Sequence, residues 1–294
     1  MTNKKSNKKP DIDKITGVET TGHEWDGLKE LNNPLPRWWL IVWVVTAIWS
    51  LWYFVVYPAF PTLGGATKGT SGYTQAKELA QSQLEIQKRQ SAYLSQFEKA
   101  SFDDIMNDVE LYNFAMAGGR AAFKENCTQC HGTGAAGGKD YPNLNDDDWL
   151  WGGKVADIHQ TLDYGIRVQG SYDTRLSQMP AFGRDKLLTK SQINDVVDYV
   201  LELGGKVDLS SLPGHGIFQE NCASCHGANG KGLQEFGAPN LTDDIWLYGG
   251  EKKDIYETII NSRAGMMPAW NKRLPQNTIR QISLYVHQLG GGEE

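Results

Sequence analysis

Two five-residue stretches carry chemistry that the rest of the chain must serve: Cys127-Thr128-Gln129-Cys130-His131 and Cys222-Ala223-Ser224-Cys225-His226. Each is Cys-x-x-Cys-His, the attachment sequence for a c-type haem. The paired cysteines add across the porphyrin vinyl groups as thioethers, and the adjoining histidine is held beneath the iron. The two stretches use every cysteine in the chain. A zinc module places its second ligand pair about 12–20 residues after the first, whereas here the two pairs begin 95 residues apart, at 127 and 222. A thioredoxin-like dithiol needs a βαβ context, which this sequence lacks. The reading is therefore two covalently bound haem c groups, with His131 and His226 as iron ligands.

Such an iron takes a sixth ligand. Met179-Pro180-Ala181-Phe182 and Met267-Pro268-Ala269-Trp270 are matching stretches, 48 residues after His131 and 41 after His226. A thioether sulfur favours the ferrous state and raises the potential, and the following proline stiffens the loop that presents it. Methionine is more often core filler, but the repetition favours ligation. Met266 rivals Met267, and alignment with Met179 selects Met267. An iron held on both faces by His and Met has no open position. It suits electron transfer rather than catalysis, so the chain is not expected to be an enzyme by itself.

Other candidates read as bland. His159, His215 and His287 align with Tyr256, Arg120 and Leu201 in the repeat, which marks them as ordinary or solvated positions. Asp146, Asp147 and Asp148 read as a solvated acidic loop. Arg167, Arg175 and Arg263 precede the methionines and suit haem propionates or solvent equally well. Which of Arg167 and Arg175 corresponds to Arg263 stays open, because the first copy carries about nine extra residues before its methionine.

The elements that position these groups form an internal repeat. Phe123-Lys124-Glu125-Asn126-Cys127 matches Phe218-Gln219-Glu220-Asn221-Cys222, Trp149-Leu150-Trp151-Gly152-Gly153 matches Trp246-Leu247-Tyr248-Gly249-Gly250, and Tyr199-Val200 matches Tyr285-Val286. Each copy predicts a short helix into the haem motif, a middle helix (154–165, 251–262) and a last helix (190–203, 276–289). Pro275 suits a helix start, and Gly204 and Gly290 suit helix stops. About 90 residues is marginal for a packed core, and a covalently held haem supplies an apolar body to pack around.

Ahead of the repeat, the run from Trp38 to Tyr57 is 20 residues without a charge. At about 1.5 Å per residue it spans a hydrocarbon layer of about 30 Å. Trp38, Trp39, Trp52, Tyr53 and Tyr57 crowd its ends, where amphipathic rings prefer the headgroups. It is too long and too late for a signal peptide, and no clear Ala-x-Ala site follows. The basic start at Lys4, Lys5, Lys8 and Lys9 places the N-terminus inside and the haem region outside. Pro58 to Gly72 reads as a linker. Residues 75–100 read as a helix with an apolar stripe of Leu79, Ile86, Tyr93 and Phe97, either a spacer lying on its own domain or, the slightly favoured reading, a docking helix for a partner subunit.

The net charge of −6 argues against a nucleic-acid partner. The first 57 residues hold 7 of the 29 basic and 6 of the 35 acidic residues, leaving 22 against 29 beyond the membrane run. That acidic bias suits a basic donor such as a small soluble cytochrome c.

The segment Gly22-His23-Glu24-Trp25-Asp26-Gly27-Leu28-Lys29-Glu30-Leu31-Asn32-Asn33-Pro34-Leu35-Pro36-Arg37-Trp38-Trp39 resembles the entry segment of the di-haem subunit (subunit III) of cbb3-type cytochrome c oxidases. The order of parts over residues 20–292 is similar as well. The resemblance implies an all-α chain: one N-terminal transmembrane helix followed by two tandem cytochrome c-like domains. The parts fall at 1–37 (cytoplasmic), 38–57 (anchor), 58–109 (periplasmic linker and helix), 110–205 (cytochrome c domain 1) and 206–294 (domain 2). It implies ligation by His131 with Met179 and by His226 with Met267. It also implies a bacterial inner membrane, and electrons passed from a donor cytochrome c to a mono-haem cytochrome c subunit and the haem–copper catalytic subunit. A free-standing di-haem carrier for another reductase, or a di-haem peroxidase, are the alternatives.

Overall fold

The computed structural model describes residues 11–205 and 208–293, so the basic start at Lys4, Lys5, Lys8 and Lys9 lies outside the described residues. The chain divides into two units, Met1–Gln87 and Lys88–Glu294.

In the first unit the residues before Pro34 and Pro36 of the entry segment pair. Strand β1 (Thr20–Trp25) and strand β2 (Leu28–Leu31) form a hairpin. Its turn is Asp26-Gly27, both at positive φ (48° and 83°). That geometry matches the right-handed strand twist, and Asp-Gly is its usual sequence, a signal the helical reading passed over. Helix α1 (Arg37–Val56) starts and ends one residue earlier than expected, and it buries no side chain. It is long and apolar enough to cross a membrane.

The expected linker is more ordered than its composition implies. Strands β3 (Pro61–Thr62) and β4 (Gly65–Ala66) pair in a small hairpin. The chain then returns to cap α1. The amides of Thr70 and Ser71 donate to the carbonyls of Val55 and Val56, each at 3.0 Å, and Ser71 Oγ donates to the same Val56 carbonyl at 2.7 Å. Those carbonyls have no partner within the helix. Gly69 permits the approach: its φ is +66°, and a Cβ there would lie 2.3 Å from the Val56 oxygen.

Helix α2 (Gln75–Lys99) runs from the first unit into the second. Of its apolar stripe, Phe97 is fully buried and Tyr93 stacks on Phe114 at 6.0 Å, while Leu79 and Ile86 are exposed. Helix α3 (Phe102–Asn107) starts on a reciprocal cap between Ser101 and Asp104. Helix α4 (Val109–Asn126) starts on Asp108, whose carboxylate accepts the Glu110 and Leu111 amides. Then come α5 (Thr128–His131), α6 (Val155–Tyr164), α7 (Lys190–Glu202), α8 (Gly214–Asn221), α9 (Ala223–His226), α10 (Lys252–Asn261) and α11 (Gln276–His287). Every helix expected from the repeat is present, within a few residues.

The cores do not follow the expected halves. Phe123, Cys127, Ile158 and Leu162 of the first copy pack with Ile279, Ile282 and Val286 of the second copy's last helix. Conversely, Phe182, Ile193, Val196, Val197 and Tyr199 of the first copy pack with Phe218, Ile255 and Ile259 of the second. Each copy donates its last helix to the other. The boundary near residue 205 therefore divides the sequence repeat but runs through the packing. Burying each such side chain contributes about 1.5–3 kcal/mol, so the exchange is the main organiser of this unit.

A third cluster joins Phe97, Ile105, Leu111 and Ala115 to Val155 and Leu284, so residues 97–107 belong to the first core rather than to a linker. Arg280 on α11 closes it. Its Nη1 donates to the Phe97 carbonyl at 2.7 Å, its Nη2 to that of Ala100, and its Cζ lies over Phe97 and Phe102 at 5.0 and 5.3 Å. The last carbonyls of α2 thus gain a cationic partner.

Candidate haem sites

Both Cys-x-x-Cys-His stretches sit where one helix ends and a single further turn begins. Cys127 caps α4 and Cys222 caps α8. In each, the amides of the second cysteine and the histidine return to the first cysteine's carbonyl, at 3.2 and 2.9 Å in the first stretch and 3.1 and 2.9 Å in the second. The turn puts residues i, i+3 and i+4 on one side, as two thioethers and an axial ligand require. Gly132 and Gly227 end the turns at φ 78° and 76°.

The histidines are oriented for iron. Nδ1 of His131 meets the Pro142 carbonyl at 3.2 Å, and Nδ1 of His226 meets the Pro239 carbonyl at 3.1 Å. That contact makes Nδ1 the protonated nitrogen and leaves Nε2 as the one suited to bind a metal. Burial holds both imidazoles below the ordinary histidine value, favouring the neutral form that binds metal, against the opposing pull of those carbonyls. Burial, and secondarily the partner cysteine, pushes the Cys127 and Cys222 thiols up to about 11. Among the described residues no three His, Cys, Asp or Glu side chains converge as a bare metal ion would need. The residues thus fit a haem held by thioethers and one imidazole, not a zinc ion.

The methionines are placed differently from the expected pairing. Met267 packs against the cluster that holds Cys127, Ile158 and Trp149. Met179 packs against the cluster that holds Cys222, Ala223, Leu241 and Trp246. The resemblance implies His131 with Met179 and His226 with Met267; the packing instead groups Met267 with Cys127 and Met179 with Cys222. The backbone bonds agree. The Ile166 amide donates to the Met267 carbonyl at 2.9 Å, and the Met267 amide returns to the Ile166 carbonyl at 3.1 Å. Ser262 Oγ donates to the Met179 carbonyl. Each methionine is thus held by the residues that follow the other copy's middle helix. Met266 is 66% exposed and points away, which favours Met267 as the ligand.

The arginine ambiguity also resolves. Arg175 Nε donates to Thr161 Oγ1 at 2.9 Å and Nη2 to the Asp157 carbonyl at 3.2 Å, with Cζ over the Trp151 ring at 5.3 Å. Arg263 Nε donates to Thr258 Oγ1 at 2.8 Å and Nη2 to the Asp254 carbonyl, with Cζ over Tyr248 at 5.2 Å. Asp157, Thr161 and Trp151 align with Asp254, Thr258 and Tyr248, so Arg175 is the counterpart of Arg263. The extra residues, 166–174, form a loop that returns the chain to this place: the Arg175 amide donates to the Gly165 carbonyl at 3.3 Å.

His159, His215 and His287 have contacts of their own. His159 is less exposed than its alignment implied, packing edge-on to Phe102 at 5.4 Å with Nδ1 3.7 Å from Asp163. His215 packs edge-on to Tyr199 at 5.7 Å, and His287 Nε2 meets the Glu293 carbonyl at 3.1 Å.

The acidic loop is not simply solvated. Burial first, then Asp243, Asp146 and Asp147, push the Asp148 carboxyl up to about 6 from 3.8. A carboxyl raised on folding costs stability as pH rises between the unfolded and folded values; the cost is absent below about pH 4 and complete above about pH 6–7. At about 1.4 kcal/mol per unit, reduced by solvent screening, it is on the order of 1–2 kcal/mol. Asp148→Asn is expected to raise the Tm by a few degrees near pH 7.5 and to leave it unchanged near pH 4. Equal shifts at both values would show that the carboxylate is not strained.

Sequence reasoning missed two repeated features. One is the Asp–Thr pair on each middle helix that receives the arginine. The other is the glycine pair Gly119 and Gly214, which align in the repeat. A Cβ on Gly119 would lie 2.2 Å from the Gln281 carbonyl oxygen, and one on Gly214 would lie 2.1 Å from that of Asp195. Both pairs were visible as matched positions.

Comparison with known proteins bears on the whole arrangement. The family described as the N-terminal domain of cytochrome oxidase-cbb3, FixP, matches residues 17–64. The family described as cytochrome C oxidase, cbb3-type, subunit III, matches residues 114–200 and 212–286. Among relatives, the cbb3-type cytochrome c oxidase subunit FixP of Bradyrhizobium sp. (strain ORS 278) is 48% identical over 286 residues, covering 96% of this chain and 98% of the relative. The subunits CcoP of Azospirillum brasilense and of Azospirillum sp. (strain B510) are 49% and 50% identical, each over 96% of this chain and 98% of the relative.

Proposed function

Because this chain belongs to the family of cbb3-type cytochrome c oxidase subunit III, we propose that it is the membrane-anchored electron-entry subunit of such an oxidase. In this reading it carries two haem c groups and passes electrons from a donor cytochrome c to a mono-haem cytochrome c subunit and the haem–copper catalytic subunit. Helix α1 anchors it in the bacterial inner membrane with its N-terminus in the cytoplasm and its haem-bearing residues in the periplasm.

The observation that carries the reading is the meeting of each Cys-x-x-Cys-His turn with one Met-Pro-Ala loop. When bound, haem c supplies a one-electron ferric/ferrous couple. His131 and His226 would hold the iron through Nε2, since Nδ1 of each is tied to a proline carbonyl. Met267, which shares a cluster with Cys127, and Met179, which shares one with Cys222, would each supply a thioether ligand to the haem held there. Both thioethers favour the reduced state. With a histidine and a methionine both bound, such a haem would leave oxygen and peroxide no open position on the iron. The chain therefore relays electrons and leaves oxygen reduction to its partner. The haem-bearing domains under this reading are residues 97–165 with 266–293, and residues 174–262.

The test is purification of the native membrane complex through a tag on this chain, with mass analysis and haem staining. Two haems on this chain together with oxygen-reducing subunits are expected. An oxidase-free monomer would favour a free-standing carrier, and carbon monoxide binding to the untreated reduced chain would favour a peroxidase-like site.

A further inference from the structure

Arg167 belongs to the nine-residue segment that the first copy has and the second lacks. We propose that Arg167 is a positioning residue that clamps both methionine loops, so that the axial ligands of the two haems depend on one guanidinium. The proposal rests on ligation by Met179 and Met267.

Two donors of the same planar fork reach the two loops. Nε donates to the Ser177 carbonyl at 2.9 Å, and Nη1 donates to the Gly265 carbonyl at 2.8 Å. Ser177 lies two residues before Met179 and Gly265 two residues before Met267, so the clamp grips equivalent points. Among the described residues the hydrogen bonds of this side chain go to backbone carbonyls rather than to a carboxylate. Its Cζ lies over the Trp151 ring at 5.8 Å, which fixes the plane of the fork.

The backbone beneath it is held on both sides as well. The Arg167 amide donates to the Arg175 carbonyl at 2.9 Å on the Met179 side, and the neighbouring Ile166 pairs with Met267 on the other. Arg167 takes a left-handed φ of 55°. That conformation is unfavourable for a residue with a Cβ, and glycine or asparagine would adopt it more readily. An arginine kept there is explained by the use of its side chain. The second copy, where Arg263 follows Ser262 directly, has no room for an equivalent. One clamp therefore serves both loops, and the extra segment exists to carry it.

The chemistry of the fork makes the test specific. Lysine has a carbon where arginine has Nε, and its ammonium stands near the arginine Cζ position. Arg167→Lys therefore loses the Ser177 bond and can keep the Gly265 bond, whereas Arg167→Ala loses both. Ser262→Ala removes a donor to the Met179 loop alone. The readout is the rate of carbon monoxide binding to each reduced haem of the full-length chain, which reports how often a methionine leaves the iron. It is paired with the sulfur-to-iron charge-transfer band and the potential of each haem. The two haems are told apart by reference to Met179→Ala and Met267→Ala.

Arg167→Ala is expected to raise carbon monoxide binding about tenfold or more at both haems, the scale on which losing a charge-assisted bond shifts local opening. Arg167→Lys and Ser262→Ala are expected to act at one haem, the one that responds to Met179→Ala. Arg167→Ala acting at one haem or neither would overturn the clamp, as would Arg167→Lys acting equally at both. If the alanine variant does not retain haem, the lysine variant decides the question on its own. Failure of Met179→Ala and Met267→Ala to change either spectrum would instead overturn the ligand assignment on which the proposal rests.

Discussion

Met179→Ala is expected to turn one haem from low to high spin, and that haem is the one attached at Cys222 and Cys225. Met267→Ala is expected to do the same to the haem at Cys127 and Cys130. Each should lower the potential of its own haem by on the order of 0.1 V or more, within the roughly 0.8 V that axial ligands span. The physical reason is that Met179 packs against the same apolar cluster as Cys222, Leu241 and Trp246, and Met267 against the one that includes Cys127 and also carries Leu144 and Trp149. The measurement is magnetic circular dichroism on variants in which one cysteine pair is replaced by serine. With only the Cys222–Cys225 haem left, Met179→Ala should change the spectrum and Met267→Ala should not. The reverse result would falsify the exchanged pairing. In the unaltered protein, nuclear Overhauser contacts from each ligated methionine methyl to Trp149 or Trp246 give an independent answer.

The second large effect lies at the helix crossings. Gly119 on α4 faces the Gln281 carbonyl and Tyr285 Cβ of α11, and Gly214 on α8 faces the Asp195 carbonyl and Tyr199 Cβ of α7. In both, a glycine from one copy meets backbone from the other. Backbone cannot swing aside as a side chain can. Exchanging a helical glycine for alanine ordinarily gains up to about 1 kcal/mol. Here, overpacking of about 1–3 kcal/mol or more opposes that gain and wins. Gly119→Ala is expected to lower the Tm, and Gly119→Leu to cost about 4 kcal/mol or more and release the haem at Cys127 and Cys130. Gly216, on the same α8 helix as Gly214, faces open space: a Cβ there would meet nothing within 4 Å, so Gly216→Ala should be neutral or stabilising. If Gly119→Ala behaves like Gly216→Ala in thermal unfolding, the close crossing is wrong.

The nine extra residues bear on the first of these predictions. They let Arg175 reach Asp157 and Thr161 as Arg263 reaches Asp254 and Thr258, although the spacing along the chain differs. They also place Ile166 on Met267 and Arg167 between the two loops. Insertions in a surface loop usually cost little. This one is tied down at both ends, which marks it as part of the machinery rather than as slack.

What the amino-acid sequence determined by itself is local chemistry. Cys-x-x-Cys-His sets its own turn, because the three reacting groups lie within five residues and need only one turn of helix to line up. The uncharged run from Trp38 to Tyr57 gives α1 to within one residue at each end, because a lipid layer asks only for length and apolarity. The repeat announced its helices through matched Phe, Trp, Tyr and Gly positions, and its methionines through Met-Pro-Ala-aromatic. Which methionine serves which histidine was not legible. Two copies with equivalent surfaces can pack each last helix at home or across, and both arrangements bury nearly the same residue types. Nearness along the chain favoured home. Only the tertiary structure shows each last helix packed across, where Gly119 and Gly214 admit a neighbouring helix, and the Met267 backbone paired with Ile166.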